Sequence, residues 1–339
     1  MSVKQAIALL AHKQDLSPAQ MESAMQEILT GSADTADIIA FLTGLGDKGE
    51  TVEELTAAVK SMLRYVEAIV VDRPNILDTC GTGGDRKGTF NISTVTAFAA
   101  AGAGITVAKH GNRSVSSGCG SADVLEALGV NIAMSRQQIT RSLEEIGIAF
   151  LFAPNLHPAM KHVMPARKQM ARRTMFNILG PLINPARATN QLIGVYSREW
   201  TGPLARVLCN LGTTHVLVVH GEDGLDEITT TAQTYVAEMD RGNFREYRLH
   251  PQDFGIRTAS PADLTGRDVA DNARIAREVL EGKSGPCRDI VLLNAGCAIY
   301  AADKARTIAE GIRLAADSVD SGRAMQKLED LRKFSHEKN

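Results

Sequence analysis

The spacing of apolar and polar positions changes character along the chain. Up to about residue 70 the apolar positions recur at helical intervals, and no β-rich run interrupts them. In "LSPAQMESAMQEILTG" Ser17 is a cap, Pro18 takes the first helical position and Gln20 completes a capping box. Met21, Met25, Ile28 and Leu29 then line one face, and Gly31 ends the run. "ETVEELTAAVKSML" repeats this signature with Thr51 and Glu54.

From about residue 76 the pattern alternates between strand and helix. "NILDTCG", "ITVAKHG", "VNIAM" and "IAFLFAP" predict strands. "NISTVTAFAAAGAG", "SADVLEALG" (capped by Ser121) and "SRQQITRSLEEIG" (Ser135/Gln138 capping box) predict helices. A helix over "HPAMKHVMPARKQMARRTM" and a Pro/Gly turn then lead into strands at "QLIGVYS", "THVLVVHG" and "RDIVLLNAG", and "ADKARTIAEGIRLAADSVDSG" predicts a C-terminal helix. Such alternation implies a mainly parallel central sheet with helices on its faces. The expected organisation is α/β: a small all-helical domain over 1–70, with 160–190 packing back on it, and a large α/β domain over 71–339.

Composition narrows the classes. A net charge of −2, from 37 basic and 39 acidic residues, argues against nucleic-acid binding through bulk electrostatics. The five cysteines form no close pair and read as reduced thiols of a cytoplasmic protein. The N-terminus turns charged too early for a secretory signal. The uncharged stretch Phe90 to Ala108 is too polar for a membrane span.

Candidate chemistry gathers in loops that follow predicted strands, the edge where open α/β sheets bind ligands. "DTCGTGGDRKGTFNIST" packs four of the 29 glycines between Gly81 and Gly88, directly before a helix start. It is neither a Walker loop nor a dinucleotide loop: Lys87 precedes Gly88, and Arg86 stands where a third glycine is required. Free backbone N–H groups at the helix start favour an anion there, although an ordinary tight turn explains the glycines equally well. "KHGNRSVSSGCGSAD" brings Lys109, Asn112, Arg113 and several serines to the same edge. "DGLDE" supplies carboxylates of the kind that hold Mg²⁺ beside phosphates. Arg167 lies on a basic helix; its neighbours Lys168 and Arg173 are expected to face water, and His215 and His220 to be structural.

Together "GTGGD", "TFNIST", "KHGNRSVSSGCGSAD" and "DGLDE" closely resemble the anthranilate phosphoribosyltransferase family, and the likeness runs over most of the chain. The resemblance implies transfer of phosphoribose from phosphoribosyl pyrophosphate (PRPP) to the amine of anthranilate, the second step of tryptophan synthesis. It also implies the fold shared with nucleoside phosphorylases. Gly81, Gly84, Asp85, Thr89, Asn91, Ile92, Ser93 and Thr94 would line the PRPP site, with Lys109, His110, Gly111, Asn112, Arg113, Ser114, Val115, Ser116, Ser117 and Ser121. Ser93, Asp226 and Glu227 would hold Mg²⁺. Gly81, Asn112 and Arg167 would contact anthranilate, and Lys109, Asn112 and Arg167 would carry the catalysis. A homodimer joined through the helical domain is implied, and a glutamine amidotransferase partner is plausible; no nucleic acid or membrane is expected. The rivals are a pyrimidine nucleoside phosphorylase, usually longer, and a non-catalytic nucleic-acid-binding relative, which calls for a basic chain.

Overall fold

The computed structural model describes residues 2–113, 118–170 and 172–337. The chain opens with α1 (Val3–Ala11), α2 (Pro18–Thr30), α3 (Thr35–Lys48) and α4 (Val52–Leu63). All three expected capping boxes are present: Ser17, Thr51 and Ser135 accept from the N–H groups of Gln20, Glu54 and Gln138, whose side chains bond back to the cap N–H groups. Alternation follows with β1 (Leu77–Gly81), α5 (Ile92–Gly102), β2 (Val107–Gly111), α6 (Ser121–Ala127), α7 (Arg136–Glu145) and β3 (Ile148–Phe152). After α8 (Ala153–Leu156), α9 (Met164–Gln169) and α10 (Phe176–Leu179) come β4 (Asn190–Gly194), α11 (Thr201–Asn210) and β5 (His215–Gly221). The chain ends with β6 (Thr234–Asp240), β7 (Asn243–Leu249), α12 (Val269–Leu280), α13 (Pro286–Ala301), α14 (Ile308–Asp320) and α15 (Arg323–Phe334).

The sheet runs β3-β2-β1-β4-β5-β6-β7. Strands β1 to β5 pair in parallel, and β6 and β7 add an antiparallel ribbon. Strand order reverses between β1 and β4, which opens a crevice at their carboxyl ends. Successive residues of β5 face different cores. Val216 and Val218 pack with the N-terminal helices and α11, whereas Leu217 and Val219 join α5, α13 and α15 on the other face. Val163, Ala166, Phe176, Leu179 and Ile183 lie in the same cluster as α1 to α4. No helix among the described residues is long and apolar enough to cross a membrane.

Four expectations are corrected. "RDIVLLNAG" is not a strand but lies within α13, which starts at Pro286 and is buried along nearly its whole length from Ile290 to Ala301. A helix apolar on every side shows no period, so its sequence reads like a buried strand. "VNIAM" alternates in burial but pairs with no strand; Asn131 bonds instead to Ser335 beyond α15, at 2.9 Å to its hydroxyl and 3.1 Å to its carbonyl. The helix expected over 157–175 breaks into a 3₁₀ turn (Pro158–His162) and the short α9, because Pro165 falls inside that span without a backbone donor. The cap of α6 is Gly120, whose N–H is held by Asp123 at 2.8 Å, and Ser121 is the first helical residue. The β6–β7 ribbon, α12 and α15 were not foreseen.

Candidate active site

The acidic loop after β5 lies directly on the ends of β1 and β4. A Cβ on Gly194 would sit 1.5 Å from the Asp226 carbonyl oxygen, and one on Gly81 would sit 2.7 Å from Asp226 Oδ2. Only glycine at both strand ends permits this approach. The acidic loop also bonds to the glycine-rich segment between β1 and α5. Asp226 Oδ2 accepts from the Gly83 N–H at 2.7 Å, and Glu227 Oε1 accepts from the Ser93 N–H at 3.2 Å. Asn91 makes no side-chain cap on α5; the Glu227 carboxyl oxygen accepts from the Ser93 N–H in that first turn instead. Lys87 reaches back, its Nζ 3.1 Å from where a Cβ on Gly224 would be.

This gathers negative charge. Burial pushes Asp226 up to about 7, and the Asp85 carboxylate adds to the rise. Burial, then the charge of Asp226, pushes Glu227 up to about 8, with Lys109 opposing. Half-buried carboxylates short of positive charge are the hard oxygen donors that Mg²⁺ takes, and with the Ser93 hydroxyl they fit that ion.

Lys109 lies beneath the loops rather than at their rim. It is 3% exposed; its Nζ donates to the Thr79 carbonyl and, at 3.2 Å, to Ser93 Oγ. Burial lowers its pKa, with Asp78 acting against the shift. Asp78 is itself fully buried, accepting from His110 N–H at 3.0 Å and from Asn184 Nδ2 at 2.8 Å. Asn184 also donates to the Ala108 carbonyl at 2.8 Å, so the segment after α10 stitches β1 to β2. His110 and His157 meet at 3.0 Å through their Nε2 atoms. Burial lowers His110 well below the ordinary value and His157 to about 4, so both rings are neutral at pH 7. This contact ties the end of β2 to the segment that leads into Arg167.

The remaining expected residues divide. Asn91 bonds to the carbonyl of Cys119 at 3.3 Å and the side chain of Asn272 at 3.1 Å, which joins the two loops. Thr89 bridges to Thr265. Asp85 accepts from the Lys87 N–H at 3.1 Å. A Cβ on Gly111 would meet the Phe150 ring at 2.6 Å and the Ser121 Cβ at 3.2 Å, so β2 ends against the start of α6. Asn112 accepts from the Arg113 N–H at 2.7 Å. Ile92 and Thr94 are buried core positions, and the Thr94 hydroxyl has no partner among the described residues. The Arg113 guanidinium turns to Asp123 and Glu126 on α6. Ser114, Val115, Ser116 and Ser117 lie outside the described residues. Arg167 is half-buried over the Phe176 ring, 5.9 Å from its centroid.

Burial raises the Cys80 thiol well above its ordinary value and Cys119 to about 11, so neither is a ready thiolate. Sequence reasoning missed Asp78, Asn184, Asn272, Gly194 and Arg173. The one signal available was an Asp inside an apolar strand. Arg173 is exposed, as expected, but its guanidinium also stacks on Tyr196, 3.7 Å from the ring centroid, and donates to the Gly84 carbonyl.

Known proteins match over nearly the whole chain. The helical bundle domain of the glycosyl transferase family matches residues 4–66, and the α/β domain of that family matches residues 73–325. An anthranilate phosphoribosyltransferase of Symbiobacterium thermophilum is 51% identical, covering 98% of each chain. One of Thioalkalivibrio sulfidiphilus is 50% identical over 99% of each. The crystal structure of anthranilate phosphoribosyltransferase from Thermus thermophilus superposes with a TM-score of 0.94 at 39% identity, covering 98% of this chain and 99% of that one. The Saccharomyces cerevisiae enzyme in complex with PRPP and Mg superposes at 0.90 with 28% identity, covering 98% and 97%. With a helical bundle domain matched over 4–66, an α/β domain over 73–325 and relatives about half identical across nearly the whole chain, the chain belongs to the anthranilate phosphoribosyltransferase family.

Proposed function

We infer that the chain transfers the phosphoribosyl group of PRPP to the amine of anthranilate, releasing pyrophosphate, and that the crevice between β1 and β4 is where it does so. One observation carries the placement: the acidic loop closes on the glycine-rich loop through the Asp226–Gly83 and Glu227–Ser93 bonds. That joins an anion cradle to a carboxylate set at the switch point of the sheet.

In this reading the backbone N–H groups of the glycine-rich loop and of the α5 start face the pyrophosphate. Their dipoles stabilise charge as the bond to C1 breaks. Lys109 acts from below, holding Ser93 and offsetting the carboxylates. Asp226, Glu227 and Ser93 would hold Mg²⁺, which when bound neutralises charge on the leaving pyrophosphate. Anthranilate's arylamine is neutral at pH 7, so attack needs placement more than a strong base. Arg167 supplies placement: burial has lowered its pKa, among the described residues no carboxylate pairs with it, and a substrate carboxylate completes it. Asn112 and Gly81 complete the anthranilate side. A cytoplasmic homodimer joined through the helical domain belongs to the same reading, as does an upstream glutamine amidotransferase partner.

Purified protein mixed with anthranilate, PRPP and Mg²⁺ should quench anthranilate fluorescence, with EDTA abolishing the loss. No loss in folded protein would overturn the reading, and phosphate with thymidine or uridine then tests phosphorolysis.

A further inference from the structure

Two adjacent arginines in the irregular stretch between α9 and α10 point in opposite directions. Arg172 Nη1 donates to Asp47 Oδ1 at 2.7 Å, at the end of α3 in the helical half. Arg173 turns to the α/β half. Its guanidinium stacks on Tyr196, just past β4, and its Nη2 donates to the Gly84 carbonyl oxygen. Among the described residues no carboxylate pairs with Arg173. An exposed arginine commonly faces water or a carboxylate; this one serves an aromatic face and a neutral peptide oxygen.

That peptide is a sensitive one. Gly83 and Gly84 have φ of +66° and +78°, and Arg86, two residues further on, has +60°. A stretch with consecutive glycines can rotate a peptide unit with little steric penalty. In a trans peptide the carbonyl and the following N–H point in opposite directions. Holding the Gly84 oxygen outward therefore fixes where the Asp85 N–H points. One residue earlier, the Gly83 N–H is held by Asp226 at 2.7 Å. The two anchors bracket the loop, one from the acidic side and one from the helical side.

We propose that Arg173 is a positioning residue for PRPP: clamped by Tyr196 and by the Arg172–Asp47 pair, it selects the peptide orientation of the glycine-rich loop that receives pyrophosphate. This rests on the proposed assignment of that loop to PRPP. Arg173 acts through the Gly84 carbonyl and touches neither reacting atom. The Arg172–Asp47 pair makes the clamp a link between the helical half and the loop.

The test is steady-state kinetics of Arg173→Ala and Arg173→Lys beside the wild type, with melting temperatures. Wild-type turnover is measured first; its absence defeats the functional reading, not the clamp. With an active wild type, Arg173→Ala should raise KM for PRPP about tenfold while KM for anthranilate and kcat at saturating PRPP stay within twofold. Arg173→Lys keeps a donor but loses the planar stack, and should recover part of the loss. An unchanged KM for PRPP, or equal rises for both substrates, would overturn the proposal. If Arg173→Ala fails to fold, Tyr196→Leu removes the platform and should shift KM for PRPP in the same direction. No shift there would also overturn it.

Discussion

Arg167 and Arg173 lie six positions apart in one basic stretch, and no periodicity separates their roles. Burial distinguishes them. A guanidinium partly removed from water with no counter-charge is costly, and a ligand carboxylate relieves that cost. Arg167→Ala is therefore expected to raise KM for anthranilate by roughly 10- to 100-fold, the scale of one or two charge-assisted hydrogen bonds. KM for PRPP should stay within about threefold on the same argument. Initial rates against each substrate decide it, and equal effects on both would remove Arg167 from the anthranilate side. Gly194 is a residue whose importance lies in having no side chain. Gly194→Ala must move Asp226, because the added carbon would overlap its carbonyl. The expected result is a loss of kcat/KM for PRPP of roughly 100-fold or more with a higher Mg²⁺ requirement, against a stability loss of about 1–3 kcal/mol. An unaltered metal titration would count against the loop placement. The sequence showed "DGLDE" as an acidic cluster; it could not show that two glycines on other strands make its seat.

Between elements, legibility depended on whether a face was left polar. Helices α2, α4 and α7 carry capping boxes and one apolar face, and each stood out. Helix α13 is enclosed on all sides and was misread, and the β6–β7 ribbon turns on Arg241-Gly242, both at positive φ, with an arginine where Asn or Asp usually signals such a hairpin. The ribbon is held by Glu238, fully buried on β6. It accepts from His215 on β5 at 2.9 Å, from Arg245 and Tyr247 on β7 at 2.6 and 2.7 Å, and from Tyr300 on α13 at 2.9 Å. Burial alone would raise the Glu238 pKa, but these donors outweigh it and hold it at about 2. His215 also bonds Asp303 at 3.1 Å, and against burial its carboxylate partners raise its pKa. The signs give a window. Glu238, depressed from 4.5 to about 2, stabilises fully above pH 4.5, and that contribution is lost as pH falls toward 2. His215, raised above 6.5, stabilises below pH 6.5, and its contribution fades as pH climbs through the raised value. Glu238→Gln should cost about 3 kcal/mol at pH 6 and flatten the decline between pH 4.5 and 2. Urea melts across that range check it; parallel acid limbs for variant and parent would refute the assignment.

At the scale of the whole molecule the sheet is a partition with a core on each side, and the helical side is assembled from separate stretches of chain. Its cluster takes Val3 to Leu63, then Val163 to Ile183, then side chains of β4, β5, β6 and α11. Fold class and helical half were legible because both announce themselves locally. The return of 160–190 to that half was expected as well, but the sharing of its core with β4, β5, β6 and α11 was not, since nothing in α1 to α4 marks which sheet face their apolar faces will meet. The link from α4 to β1, residues 64–76, carries no helix or strand, and Val70 on it is 81% exposed. This join is a seam rather than a hinge between independent bodies. A protease site inserted after Val70 should give a nicked protein whose two pieces elute together and still turn over substrate. They should part only in denaturant, and fragment 1–70 made alone should not fold. Pieces that drift apart in plain buffer would show that the peptide bond, and not the interlocked packing, keeps the halves together.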